Sequence, residues 1–108
     1  MSTIKNDFIH LVLFWLKEPQ NIDHREHFKK ALKKLSIDSK YAKEVQLGTP
    51  SPSERDVVDD SYTFSLLVTF PSKDEHDQYQ TEPAHIAFID SCKRLWERVQ
   101  VFDSEAIK

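Results

Sequence analysis

Glycine is almost missing from this chain: Gly48 is the only one in 108 residues. A P-loop and a dinucleotide fingerprint are therefore excluded, since both need several glycines to let backbone wrap a phosphate. The nucleophile elbow G-x-S-x-G falls for the same reason. Cysteine is equally scarce, and Cys92 alone cannot form a disulfide within the chain. No apolar run approaches the roughly 20 residues of a membrane helix. Residues 1–7 are polar and lack the apolar stretch of a secretory signal. An excess of positive charge is absent too: 15 Lys and Arg against 18 Asp and Glu give a net charge of −3. That balance speaks against neutralising a phosphate backbone. The expectation is a cytoplasmic protein with neither nucleic acid nor membrane as a partner.

What is present suits a small folded unit. A chain this short is expected to be one domain over residues 1–108, with residues 1–7 a flexible start. It buries roughly two-thirds of its unfolded surface, enough for one modest core. Phe8 to Leu16 (FIHLVLFWL) is β-branched and aromatic and reads as a strand, apolar on both faces apart from His10. A helix follows, with Asp23 as expected N-cap and Glu26 at the box position. Its apolar stripe is Phe28, Ala31, Leu32 and Leu35. The basic cluster Lys29, Lys30, Lys33 and Lys34 lies on the opposite, solvated face, near the C-terminal end where cations suit the helix dipole. Tyr41 to Gly48 reads as a second strand. Pro50 and Pro52 open a charged loop running to about Asp60.

Ser61 to Phe70 alternates most regularly, with Tyr62, Phe64, Leu66, Val68 and Phe70 on one face. Ser72 can cap a short helix through Gln80, and Pro83 can start another segment, where its missing N–H costs nothing. Along that segment His85, Phe88, Ile89, Cys92, Leu95 and Trp96 share a stripe, and Val99 to Phe102 closes the chain as a strand. The order β-α-β-β-α-β predicts an α+β, ferredoxin-like sheet with helices on one face. The doubly apolar first strand then needs a second covering layer. A second copy, packed sheet against sheet as a homodimer, is the expected source.

Three stretches carry a resemblance to a known family. His10-Leu11-Val12-Leu13-Phe14-Trp15-Leu16-Lys17 resembles the first strand of the stress-responsive A/B barrel (Dabb) domain family. Tyr79-Gln80-Thr81-Glu82-Pro83-Ala84-His85 resembles that family's signature around its second helix. Trp96-Glu97-Arg98-Val99-Gln100-Val101-Phe102-Asp103 is similar to its last helix and strand. The resemblance implies a dimer whose two sheets form an α+β barrel. Activity is less constrained by it. The family includes heat-stable, stress-induced plant proteins and olivetolic acid cyclase-like enzymes, which close a linear polyketide by aldol condensation. Tyr79 and His85 match the catalytic tyrosine and histidine of those enzymes, and His10 matches a histidine lining their pocket. Two positions depart from the family's pattern. Glu82 stands where a histidine is common, which removes a second imidazole relay, and Trp15 stands where a lysine is usual.

Each of these residues has a structural and a chemical reading. His85 is either a core histidine satisfied by one hydrogen bond or a general base, since imidazole titrates near neutral pH. Tyr79 either packs on the sheet or steadies a developing enolate oxygen. His10 on an apolar strand face is either structural or a binding residue. His24 and His27, three apart, lack a third ligand for a metal, and no H-E-x-x-H occurs. Cys92, in register with Phe88 and Trp96, reads as core. Asp59-Asp60 alone is insufficient for calcium or magnesium. No metal and no cofactor is expected. Two functions remain: a binder or cofactor-free acid–base enzyme for a small organic molecule, and a non-catalytic stress or interaction protein. A polar, solvent-connected pocket at His10, Tyr79 and His85 favours the first, and a sealed core there the second.

Overall fold

In the computed structural model, which describes residues 4–108, β1 (Phe8–Leu16) is followed by α1 (Ile22–Asp38) and β2 (Val45–Gly48). Then come β3 (Phe64–Phe70), α2 (Lys73–Thr81), α3 (Pro83–Cys92), a 3-10 turn at Lys93–Leu95 and β4 (Trp96–Glu105). The strands form one antiparallel sheet in the order β2-β3-β1-β4. This is the ferredoxin-like α+β fold expected from the element order. The expected flexible start, residues 1–7, falls in part outside the described residues.

Side chains alternate across a strand, so β1 sends Phe8, His10, Val12, Phe14 and Leu16 to the helix-covered face, where all five are buried. Phe28, Leu32 and Leu35 of α1 and Phe88 and Cys92 of α3 meet them there. Aromatic rings order this core: Phe28 stacks on Phe64 with centroids 5.3 Å apart, and Phe14 meets Phe28 edge-on at 5.0 Å. The opposite face of β1 is different. Ile9, Leu11, Leu13 and Trp15 are only half-buried in the isolated chain, and Phe102 beside Leu11 is 56% exposed.

Several boundaries depart from the sequence reading. Asn21, not Asp23, caps α1: its side chain accepts from the His24 backbone N–H, while Asp23 lies in the first turn. Glu26 bonds Lys29 instead of reaching back to the cap. Because α1 continues to Asp38, its last turn holds no basic residue. The four lysines lie earlier, so the helix dipole does not explain them. β2 starts at Val45 instead of Tyr41, since Ser39 turns the chain: its hydroxyl accepts from Tyr41 and Ala42 N–H. β3 starts at Phe64. The final stripe breaks at Cys92, Leu95 falling in the 3-10 turn and Trp96 in β4, which runs to Glu105. Gly48 has no positive φ; a Cβ there would meet Ser65 Oγ at 2.6 Å, so its smallness relieves cross-strand crowding.

Candidate functional site

A proline sets the site's geometry. Pro83 disfavours helical backbone at the residue before it, and Glu82 is extended (φ −71°, ψ 153°), ending α2 and starting α3. The direction change at Glu82 lets Tyr79, on α2, and His85, on α3, meet with ring centroids 4.9 Å apart. His10 arrives from β1, its ring 6.0 Å from that of Tyr79. All three line one cavity of about 360 Å³ between sheet and helices. Apolar side chains make the rest of its wall, among them Val12, Phe14, Phe88, Trp96, Val99 and Val101. Val99 and Val101 are 36% and 41% exposed, because β4 is an edge strand, so the cavity opens along that edge. The three residues singled out from the sequence are thus brought together.

Their electrostatics differ. Tyr79 is 1% exposed, and its hydroxyl is buried without a hydrogen-bond partner among the described residues. Desolvation, with Glu82 adding to it, raises its pKa far above the ordinary phenol range, so the hydroxyl stays a donor. Burial lowers the pKa of His85 below 6.5, opposed by a hydrogen bond to the Gln80 carbonyl, so the ring is neutral at pH 7. Burial likewise lowers His10, against the opposing effect of Asp103, whose Oδ1 lies 2.6 Å from His10 Nδ1.

Two residues at this site escaped the sequence reading. Asp103 lies opposite His10 in the β1–β4 register, 93 positions away in the chain. His76, on α2, stacks on Phe8 at 4.5 Å and lies 4.8 Å from the His10 ring. Its spacing from Tyr79, three residues on a helix, was the available signal, since such pairs share a face. The register of the first and last strands had no comparable signal.

The remaining candidates are engaged elsewhere. Glu82 is 5% exposed, and its carboxylate accepts from Ser39 Oγ (2.5 Å) and the Lys40 N–H (3.0 Å). It pins the end of α1 to the α2–α3 junction. Trp15 donates to Ser61 Oγ and carries the Arg98 guanidinium 4.2 Å above its ring. Cys92 is fully buried, and desolvation pushes its thiol up to about 11, which removes it as a nucleophile. His27 bonds Ser91 on α3, and His24 Nδ1 stands 3.8 Å from Glu18. Asp59 and Asp60 accept from Ser61 and Ser53 within their loop. A second hollow of about 270 Å³ between α1 and α3 contains none of the three converging residues. Among the described residues no helix is long and apolar enough to cross a membrane.

A ferredoxin-like sheet with a helix-covered cleft at its open edge defines the class of protein. Residues 8–106 match the family model of the Stress responsive A/B Barrel Domain, Dabb, and the chain belongs to that family, as its sequence motifs implied. Olivetolic acid cyclase from Cannabis sativa is 28% identical over 94 residues, covering 87% of this chain and 91% of that protein. A hydroxynitrile lyase from Passiflora edulis superposes with a TM-score of 0.78 at 17% identity, covering 97% of both chains. A dimeric ferredoxin-like protein of unknown function from Thermobifida fusca superposes with a TM-score of 0.74 at 19% identity, covering 98% of this chain and 97% of that one.

Proposed function

We propose that the cavity binds a small organic molecule and that His85 and Tyr79 perform cofactor-free acid–base chemistry on it, of the kind a polyketide cyclase carries out. The observation that carries this reading is the Tyr79 hydroxyl, buried against the cavity wall with no partner among the described residues. An unpaired buried donor costs about 1–3 kcal/mol, and a bound oxygen would recover it. His85, neutral at pH 7, takes a proton from a carbon next to a carbonyl, and the Tyr79 O–H donates to the oxygen that becomes charged. The resulting enolate attacks a second carbonyl carbon of the same molecule. The new alkoxide takes the proton back from the His85 imidazolium, so no metal or redox partner enters the balance. His10, with Nδ1 engaged by Asp103, keeps Nε2 for a ligand oxygen. The 28% identity to a cyclase over most of the chain supports the same reading.

The working unit is proposed to be a homodimer, formed through the half-buried apolar face of β1. Synthetic linear β-polyketo acids are suitable probes. Cyclised product should form faster than in buffer, and His85→Ala should reduce the rate about a hundredfold or more with fold retained. Tyr79→Phe should lower the rate with little change in affinity. Full activity in both variants would remove the chemistry from this cavity. The remaining reading would then be a non-catalytic stress or interaction protein whose assembly is its function.

A further inference from the structure

Beside the cavity, His10, His76 and Asp103 bring one ligand atom each to within 4.8 Å of one another. His10 Nδ1 is 2.6 Å from Asp103 Oδ1, and His76 Nε2 is 3.8 Å from Asp103 Oδ2. Cross-strand register accounts for the His10–Asp103 contact, but it does not account for the third group. His76 Nδ1 lies 3.1 Å from Asp77 Oδ1, a contact that places the ring proton on Nδ1. Nε2 then presents a lone pair, which accepts from the Gln80 amide at 3.0 Å and also faces the Asp103 carboxylate. Two imidazoles, both buried, and one carboxylate thus converge on a single point, the constellation a metal ion needs.

We propose that His10, His76 and Asp103 bind a divalent transition-metal ion, with Zn2+ as the reference. Two imidazoles and one carboxylate suit zinc, cobalt or nickel better than calcium or magnesium, which prefer oxygen alone. Ligand atoms around tetrahedral zinc lie about 3.3 Å apart, from bond lengths near 2.0–2.2 Å. The present separations, 2.6 to 4.8 Å, bracket that value. His10 is fixed in the core, whereas the Asp103 side chain is 38% exposed, so an ion entering between them would replace their direct contact. Asp77 on His76 Nδ1 supplies the outer carboxylate that commonly orients a metal-bound histidine. Three protein ligands leave a fourth position open. An ion on His10 Nδ1 also fixes the proton on Nε2, making His10 a donor toward the cavity.

The site shares His10 with the cavity, but it does not rest on the acid–base reading of His85 and Tyr79, and its test needs no substrate. After EDTA treatment and desalting, the folded chain is titrated with Zn2+ by calorimetry and with Co2+ by visible absorption. One ion per chain is expected, with the absorption of tetrahedral cobalt. His76→Ala and Asp103→Asn should each weaken binding about tenfold or more, with circular dichroism unchanged. A His24→Ala, His27→Ala double variant should bind as the parent does. Absence of saturable binding at millimolar Zn2+, or unchanged affinity in folded Asp103→Asn, would overturn the proposal. So would loss of binding only in the α1 double variant.

Discussion

At the scale of single residues, burial sets the protonation of the candidate chemistry. His85 is held below its ordinary pKa by desolvation, with Glu82 and the Gln80 carbonyl opposing and His10 and His76 adding slightly. A histidine with a depressed folded pKa binds its proton more readily in the unfolded chain. Its contribution to stability is therefore present at neutral pH and is lost as pH falls from about 6.5 toward the lower folded value. His85→Asn should flatten the dependence of the urea midpoint on pH between about 7.5 and 5.5. An unchanged slope would mean that His85 is not desolvated. In the core, Phe28 touches Phe14, Phe64 and Phe88, so Phe28→Ala should cost about 3–5 kcal/mol by urea unfolding. His85, Tyr79 and His10 were legible because a helical stripe or a family motif carried them. Asp103 was not, since its role depends on a strand register that no local pattern encodes.

At the scale of elements, the pattern was clear where one face is buried and blurred where the chain turns. β1 and β3 follow their alternation, and the Glu82–Pro83 break follows from backbone sterics. Boundaries shifted where side chains competed for backbone groups, as Asn21 displaced Asp23 at the start of α1. Asn21→Ala should accordingly destabilise the fold by about 1 kcal/mol, and Asp23→Ala by clearly less. Equal losses would contradict the observed cap. β4 was read too short because its outward residues on an exposed edge look like loop. Residues 54–61 between β2 and β3 are exposed, and limited proteolysis should cut there first. Initial cleavage within β1 or α1 would run against this.

At the scale of the whole molecule, the dominant feature is the apolar face that no helix covers. Ile9, Leu11, Leu13, Leu67 and Phe102 together make a patch of the kind soluble monomers rarely expose. Light scattering at micromolar concentration should report twice the 12.7 kDa chain mass. Leu13→Asp, which places a charge on that face, should shift the mass toward the monomer while leaving the cavity side intact. A parent protein that is monomeric at that concentration would exclude the sheet-to-sheet pairing. The uncovered face was legible from β1 alone, because the strand is apolar on both sides and the helices cover one.

The strand order has a consequence for synthesis. Of the four strands β1 is made first, yet its two neighbours in the sheet are β3 and β4, the third and fourth to be made. At about 5–20 residues per second, the roughly ninety residues between β1 and its β4 partners take about 5–20 s to appear. Through that interval the most apolar segment of the chain is nascent, with one edge or both unpaired. A ribosome-bound chain that stops before β4 should therefore recruit hydrophobic-binding chaperones, and one in which β4 (Trp96–Glu105) has cleared the exit tunnel should release them.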